Sequence, residues 1–376
     1  MGAHGQFLAE LLKEADIHIN GDRAGDISIY NNQLPERIFR EGSLGIGESY
    51  MDKWWDSTKL DITLTKAHRA DLDKKILKHW RIWPVLFSTM IENIITNPQK
   101  KKAFEIGKKH YDVGNELYSR MLDKRMVYSC GYWKSARTLD KAQEAKLELC
   151  CKKLGLKKGD KVLDIGCGWG SFLFYAEKRY KIKGVGLTVS KEQKKHCDSI
   201  DRKNITVLLT DYRTMHEKFD HIISIGMFEH VGWKNYPSYM SVVDRCLKPG
   251  GKFLLHTIGQ DKASISVNPW IHKYIFPHGH LPALRQIKNA AQGKLHIWDV
   301  HEIGKDYDPT LMSWFANFDK HWKEIRKKHP KYDEKFYRMW KFYLLSCAAG
   351  FRTEKLRVWQ ILLSKENKPA RYKIVR

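Results

Sequence analysis

The first part of the chain alternates helical spacing of hydrophobic residues with glycine-rich turns. Near the start, apolar side chains recur about one helical turn apart, at Phe7, Leu8, Leu11 and Leu12. This pattern predicts a small, mostly helical domain over residues 1–95. Residues 97–102 (NPQKKK) join a helix breaker to a charge run, which is typical of a connection between packed units. We therefore predict a linker at residues 96–108 and a second domain at residues 109–376.

The second domain has short apolar runs of strand length that alternate with amphipathic helical segments. The predicted strands are 161–166, 184–188, 205–209, 219–226, 252–257, 295–300 and 357–363. Helices are predicted at 170–180 and 236–247, and from about residues 191, 308 and 332. This alternation favours a mainly parallel sheet covered by helices. The predicted fold class is α/β, with a Rossmann-like, seven-stranded sheet.

Composition excludes several classes of protein. The 376 residues are 42% hydrophobic, so the chain buries a sizeable core and is not mainly disordered. The most apolar early stretch, 85–95, is short and contains Glu92, which argues against a membrane span. The start has no signal-peptide pattern, so we expect a cytoplasmic protein. The 7 cysteines are scattered without a C-x-x-C pair, and no metal site is predicted.

The net charge of +24 has three ordinary explanations, namely nucleic acid binding, an anionic membrane surface or simple solubility. Charge alone does not choose between them. The basic residues Lys100, Lys101, Lys102, Lys108 and Lys109 are candidates for attracting anionic headgroups, or belong to a solvated linker.

A glycine-rich turn follows the first strand of the second domain, in the pattern Asp164-x-Gly-x-Gly-x-Gly. Glycines there let a ligand approach the backbone at the start of a helix. A dinucleotide site is disfavoured, because Ser171 stands where it needs Gly or Ala and the next strand ends at Thr188 without a carboxylate. The pattern instead looks like the first motif of class I S-adenosylmethionine (SAM) methyltransferases.

Further motifs narrow the family. They are 110–112 (HYD), 128–133 (YSCGYW), 226–232 (GMFEHVG), 248–251 (KPGG), 256–259 (HTIG) and 306–308 (DYD). In order and spacing the chain resembles the cyclopropane-fatty-acyl-phospholipid synthases essentially from end to end. Residues 41–55 look like the N-terminal lipid-binding domain of the longer bacterial synthases.

The resemblance implies an activity and a site. In that family the SAM methyl group is transferred to the cis double bond of an unsaturated phospholipid acyl chain, and a bound bicarbonate ion removes a proton so that a cyclopropane ring closes. The implied bicarbonate nest consists of Cys130, Glu229, His256, Tyr307 and the backbone of Ile258. The residues expected at the cofactor are Tyr128, Ser129, Gly166, Gly168, Thr188, Gln193 and Asp211.

Each of these residues also has a simpler interpretation. Cys130 and His256 suit an ordinary core, and Glu229 suits a polar helix start. Tyr307 suits packing at a helix cap, and Asp211 suits a turn or cap. Six aromatic residues are candidates for lining an acyl channel, or for ordinary core. They are Phe228, Trp270, Tyr274, Phe276, Trp314 and Phe318.

The resemblance also implies partners. We expect unsaturated membrane phospholipids as substrate, a homodimer, peripheral association with the inner face of the membrane, and no nucleic acid. Three alternatives stay open: a SAM-dependent lipid methyltransferase with a methyl-branched or unsaturated product, an RNA methyltransferase, and a non-catalytic lipid-binding relative.

Overall fold

The computed structural model describes residues 2–77, 115–264, 268–369 and 372–376. The chain divides into two compact units. The first comprises Met1–Thr96, Ile265–Pro277 and Leu311–Lys355, and the second comprises Asn97–Ser264, His278–Thr310 and Leu356–Arg376. The predicted linker at 96–108 and the lysines at 100–102, 108 and 109 lie outside the described residues. The two later segments of the first unit were not anticipated from the sequence.

The helices and strands are numbered in chain order. The helices are α1 Ala3–Glu14, α2 Leu34–Glu41, α3 Ser43–Met51, α4 Leu60–Arg69, α5 Leu72–Leu77, α6 Asn115–Met121, α7 Leu139–Leu154, α8 Ser171–Tyr180, α9 Lys191–Asp198, α10 Tyr236–Cys246, α11 Pro269–Tyr274, α12 Leu284–Ala291, α13 Tyr307–Lys328 and α14 Glu334–Arg352. The strands are β1 Ser28–Ile29, β2 Trp55–Asp56, β3 Lys161–Ile165, β4 Lys183–Thr188, β5 Ile205–Leu209, β6 Phe219–Ile225, β7 Leu247–Gly259, β8 His296–Glu302 and β9 Arg357–Ser364.

The first unit is mostly helical, with β1 and β2 as a small antiparallel pair. Arg338 of α14 fixes this pair, because its guanidinium donates to the carbonyls of Tyr50 and Trp55 and to the Asp56 carboxylate. The same guanidinium lies 3.9 Å from the Tyr50 ring centroid. Each nitrogen of a guanidinium in a residue only 6% exposed thus donates one hydrogen bond, and the ring contact adds to them.

The second unit is built on a seven-stranded sheet in the order β5-β4-β3-β6-β7-β9-β8. Strands β3 to β7 run parallel, and β9 is antiparallel to both of its neighbours. The predicted α/β class with a mainly parallel sheet is confirmed. β7 begins at Leu247, five residues before the predicted strand. The register between β6 and β7 shifts between Phe219 and His221, so residues 248–251 lie within β7 as an irregularity.

The turn after β3 joins the strand to α8 with three glycines at positive φ, namely Gly166, Gly168 and Gly170 at 85°, 57° and 78°. A Cβ atom on Gly166 would lie 2.6 Å from Cγ of Met227, so both the backbone angle and the space require glycine there. No helix in the described ranges is long and apolar enough to cross a membrane.

Candidate active site

The predicted site residues of the second unit gather where the parallel strands end. The glycine turn follows β3, Thr188 ends β4, Asp211 follows β5, Glu229 follows β6, and His256 and Ile258 lie in the last part of β7. Ligands of open α/β sheets bind outside the carboxyl ends of the strands. The topology therefore brings residues that are distant in sequence to one edge.

The glycine turn leaves room for a ligand. The amides of Gly166 and Cys167 both donate to the Leu187 carbonyl, at 3.0 and 2.9 Å, which fixes the turn against β4. A Cβ atom on Gly168 would meet nothing within 4 Å. Asp164 is 2% exposed and its Oδ1 has no hydrogen-bond partner in the described residues. Burial raises the pKa of Asp164 to about 7. Asp164 belongs to the recognised motif but was not among the predicted site residues.

Thr188 and Gln193 contact each other directly, since the Thr188 hydroxyl donates to Gln193 Oε1 at 2.7 Å. The same hydroxyl oxygen accepts from the Ser190 amide at 3.1 Å. Both side chains are buried, at 6% and 4% exposure. The turn that starts α9 is thus held at the end of β4, and the contact of Gln193 with the cofactor stays a prediction.

Asp211 is engaged with Arg213. Its Oδ1 accepts from the Arg213 amide at 2.9 Å and from Nε at 2.8 Å, and its Oδ2 accepts from Nη2 at 2.7 Å. The carboxylate therefore caps the short 3₁₀ turn that starts at Tyr212. This matches the simpler interpretation of Asp211, and its place near adenine stays a prediction.

Tyr128 lies in an aromatic group that the sequence analysis missed. Its ring centroid is 5.1 Å from that of Tyr118, which is itself 5.1 Å from that of Trp169 in the glycine turn. The Trp169 indole N–H donates to Asn115 at 3.0 Å. Helix α6, Tyr128 and the glycine turn are therefore packed together.

Ser129 is fixed from α7. The Gln143 amide donates to the Ser129 carbonyl at 2.8 Å, and the Lys146 ammonium donates to the Ser129 hydroxyl at 2.9 Å. A Cβ atom on Gly226 would lie 3.8 Å from Cβ of Ser129. The segment that carries Tyr128, Ser129 and Cys130 therefore lies against the end of β6.

Glu229 and Ile258 form a direct link in the predicted nest. The Ile258 amide donates to Glu229 Oε1 at 2.5 Å, while the buried Oε2 has no partner in the described residues. The His280 amide also donates to the Glu229 carbonyl at 2.7 Å. Burial raises the pKa of Glu229 to about 7, and the Ile258 hydrogen bond opposes that rise. A carboxyl oxygen is thus held in place and remains available.

His256 is neutral and oriented. It is 2% exposed, and burial holds its pKa well below the usual range, with the charges of Lys146 and Lys153 acting in the same direction. Its Nδ1 lies 3.3 Å from Gln360 Nε2 on the neighbouring strand β9. Because an amide nitrogen donates, Nδ1 is the acceptor and the ring proton is on Nε2. A neutral imidazole therefore offers an N–H donor.

Cys130 is fully buried, and burial raises the pKa of its thiol well above the usual range. The Sγ atom lies 3.2 Å from the Gly131 carbonyl and 3.7 Å from the Ile303 carbonyl, which share the single S–H donor of the neutral thiol. Ile303 begins the short turn that leads to Tyr307, the buried first residue of α13. The structure thus places Cys130 beside the turn that carries Tyr307, and the shared contact of these nest residues with a base stays a prediction.

Thr310 fixes the Cys130 segment, and sequence reasoning missed it. Its fully buried hydroxyl oxygen accepts from the Gly131 amide at 3.1 Å and from the Trp133 indole at 2.9 Å. Replacing Thr310 by Val keeps the shape but leaves two donors unpaired. We expect this variant to lower the free energy of unfolding by about 2 kcal/mol, measured by urea denaturation. Thr206→Val on the exposed side of β5 is the control, and an equal loss there would contradict the assignment.

The aromatic candidates lie in both units. Phe228 stacks on Tyr236 at 4.2 Å between centroids within the core of the second unit. Trp270, Trp314 and Phe318 are at most 1% exposed, and they belong with Tyr274 and Phe276 to the first unit. Ordinary core packing accounts for Phe228, and an acyl channel lined by the others stays a prediction.

The chain is similar to known proteins over most of its length. A family model described as mycolic acid cyclopropane synthetase matches residues 98–361. The cyclopropane-fatty-acyl-phospholipid synthase of Escherichia coli strain K12 is 47% identical over 360 residues, which cover 95% of this chain and 92% of that protein. A probable fatty acid methyltransferase of Pseudomonas putida is 35% identical over 271 residues, which cover 68% of each chain. The crystal structure of a mycolic acid cyclopropane synthase complexed with SAH and CTAB matches with a TM-score of 0.65 at 31% identity, covering 69% of this chain and 97% of that one.

Proposed function

The chain belongs to the mycolic acid cyclopropane synthetase family, and on that premise we propose that it forms cyclopropane rings in the unsaturated acyl chains of membrane phospholipids. The methyl group of SAM bonds to one carbon of a cis double bond, SAM leaves as S-adenosylhomocysteine, and a cation remains on the acyl chain. Loss of a proton from the transferred methyl group then closes the ring, so that one methylene group is added. The observation that carries the proposal is the buried Glu229 carboxyl, held by Ile258 beside the strand of His256.

The second unit fits SAM by its own residues. The space around the position that a Gly168 Cβ atom would occupy is open, which suits the approach of the cofactor to the backbone. Asp164 offers a buried carboxyl oxygen without a hydrogen-bond partner in the described residues. Tyr128 and Ser129 stand on a segment fixed by α6 and α7, where they would close over it. The relative with SAH in its crystal structure supports this assignment.

The nest fits a small oxygen anion such as bicarbonate. His256 offers an N–H, Cys130 is a neutral thiol, and Glu229 Oε2 has no hydrogen-bond partner in the described residues. Held there, bicarbonate would supply the base for the proton of the transferred methyl group. The chain's residues hold that base and do not themselves accept the proton. The cation on the acyl chain requires an apolar surrounding that excludes water.

The phospholipid substrate implies contact with a membrane surface. The net charge of +24 supports attraction to anionic headgroups, and peripheral association by the N-terminal segment is part of the proposal, as is a homodimer. We expect the full chain to sediment with vesicles that contain anionic phospholipid, less so at high salt. Sedimentation velocity measures the dimer. Salt-dependent RNA binding without vesicle binding would contradict the lipid assignment.

The direct test is product analysis. The full chain is incubated with labelled SAM and vesicles of monounsaturated phospholipid. The fatty acids are then released from the lipid, and their masses are measured by mass spectrometry before and after mild hydrogenation. A product enlarged by one methylene group that takes up no hydrogen is a cyclopropane. No labelled lipid, with SAM bound, would overturn the proposed substrate.

One alternative has support from a comparison. The relative from Pseudomonas putida carries the name of a probable fatty acid methyltransferase. In that case the acyl cation would lose a proton without ring closure, and the methylated alkene formed would take up hydrogen. The same hydrogenation experiment therefore decides between the two products.

A further inference from the structure

Helix α7 buries a polar stripe where a helix on a sheet ordinarily buries apolar residues. Gln143, Lys146, Cys150 and Lys153 are spaced three, four and three positions apart, which places them on one helical face. All four are at most 1% exposed. Two buried lysines on one face are costly to keep, because burial disfavours their charge. This free-energy cost suggests that at least one of the two lysines has a functional role.

Lys153 has an ordinary structural explanation. Its ammonium lies 3.9 Å from Asp299 Oδ2 and 3.0 Å from His301 Nδ1. Arg376 binds the same Asp299 carboxylate. The lysine therefore belongs to a buried charge network with its own carboxylate.

Lys146 differs. Its ammonium donates to the neutral Ser129 hydroxyl at 2.9 Å, and within the described residues the carboxyls of Asp123 and Asp164 act on it through space without a hydrogen bond. Burial lowers the pKa of Lys146 and raises the pKa of both carboxyls, because it disfavours the charged form of each group. The Lys146 ammonium has no close ion pair within the described ranges of the chain, and it is directed at the Ser129–Cys130 segment.

The nest lacks a cation of its own. Cys130 and His256 are neutral, and Glu229 adds negative charge whenever it is ionised. The charge of Lys146 acts on both Cys130 and His256. In a buried site such a charge interacts strongly with an anion, because little solvent screens it.

We propose that Lys146 is the cationic anchor of the nest, a positioning residue whose charge holds the anionic base while its hydrogen bond places Ser129. This inference rests on the proposed function, since it concerns the base that the nest binds. It assigns to Lys146 a role in affinity for the anion and not in proton transfer.

The test is a binding measurement with bicarbonate as the probe. The full chain, saturated with S-adenosylhomocysteine in buffer freed of carbon dioxide, is titrated with ¹³C-bicarbonate and followed by NMR. We expect Lys146→Met to weaken bicarbonate binding at least about tenfold, or about 1.4 kcal/mol. Lys141→Met, on the exposed face of the same helix, keeps wild-type affinity. Ser129→Ala loses the hydrogen bond but keeps the charge. Because Ser129 is also a predicted cofactor contact, this variant is measured at a concentration of S-adenosylhomocysteine shown to saturate it, and it is expected to lose clearly less bicarbonate affinity than Lys146→Met.

The outcomes are distinct. Wild-type affinity in Lys146→Met overturns the anchor, and so does an equal loss in Ser129→Ala, because the hydrogen bond would then explain the effect. If the wild-type chain neither binds bicarbonate nor needs it for turnover, the proposed base itself is wrong. Met fills a similar volume without a buried charge, so the melting temperature is expected to stay equal or rise. Lys146→Gln is the second variant, and it is expected to show the same loss.

Discussion

Replacing Glu229 by Gln is expected to lower the rate of ring formation roughly 100-fold or more while SAM affinity changes less than about threefold. Gln keeps the oxygen that accepts from the Ile258 amide, so the local fold is retained. It replaces Oε2, which has no hydrogen-bond partner among the residues that the structure describes, with an NH₂ group, which cannot accept a hydrogen bond. Ring formation is measured by mass spectrometry with hydrogenation, and SAM affinity by calorimetry.

The pH dependence gives the same variant a second readout. With a pKa of about 7, the Glu229 carboxylate population rises as the pH increases through neutrality. At a fixed bicarbonate concentration, wild-type ring formation should therefore increase between about pH 6 and about pH 8, and Glu229→Gln should lack this component. Glu217→Gln, on the exposed surface beside Lys161, should behave as wild type. Undiminished ring formation in Glu229→Gln would remove Glu229 from the nest.

Much of the sheet was predictable because each strand is a short apolar run between turn residues. The exception is the start of β7. Lys248-Pro249-Gly250-Gly251 has the composition of a turn. The residues on either side of it, Leu247 and Lys252, pair with Phe219 and His221 of β6, so the segment lies within the strand as an irregularity. Local sequence cannot reveal a partner strand that lies elsewhere in the chain.

That residues 265–277 and 311–355 belong to the first unit was not predictable either, because their packing partners also lie elsewhere in the chain. Phe342 of α14 lies 4.8 Å from Trp270 and 5.5 Å from Tyr50, measured between ring centroids. These three residues come from widely separated segments, and each alone looks like an ordinary core aromatic. Deleting residues 1–96 would therefore expose α14, so substitutions test the membrane role of this segment more clearly than truncation does.

At the site, motif positions were predictable and their supports were not. Glu229, His256 and the glycines stand in recognisable motifs. Lys146, Gln360 and Thr310 lie outside them and act on residues distant in sequence. In the sequence, a lysine in a helix with many charged residues looks solvent-exposed, and only the packing of the helix shows that it is buried. The one available signal was the spacing of polar residues at 143, 146, 150 and 153, where an apolar stripe is expected.

Replacing Gly168 by Leu is expected to weaken SAM binding about 100-fold or more, because the new side chain would fill the space that the cofactor needs. At φ 57° the backbone tolerates a side chain only with strain, which costs about 1–2 kcal/mol. Nothing within 4 Å of the position of the new Cβ would clash, so the protein should still fold. SAM affinity is measured by calorimetry and stability by urea denaturation.

Gly159→Leu is the matched control for this variant. Gly159 also has positive φ, at 90°, and its Cβ position is equally open, but it lies in the turn before β3, at the other end of that strand from the site. Its substitution should cost at least as much stability and leave SAM affinity unchanged. If both variants lost SAM binding equally, backbone strain transmitted through β3 would explain the loss. If neither did, the cofactor would not lie against Gly168, and the assignment of the glycine turn to SAM would fail.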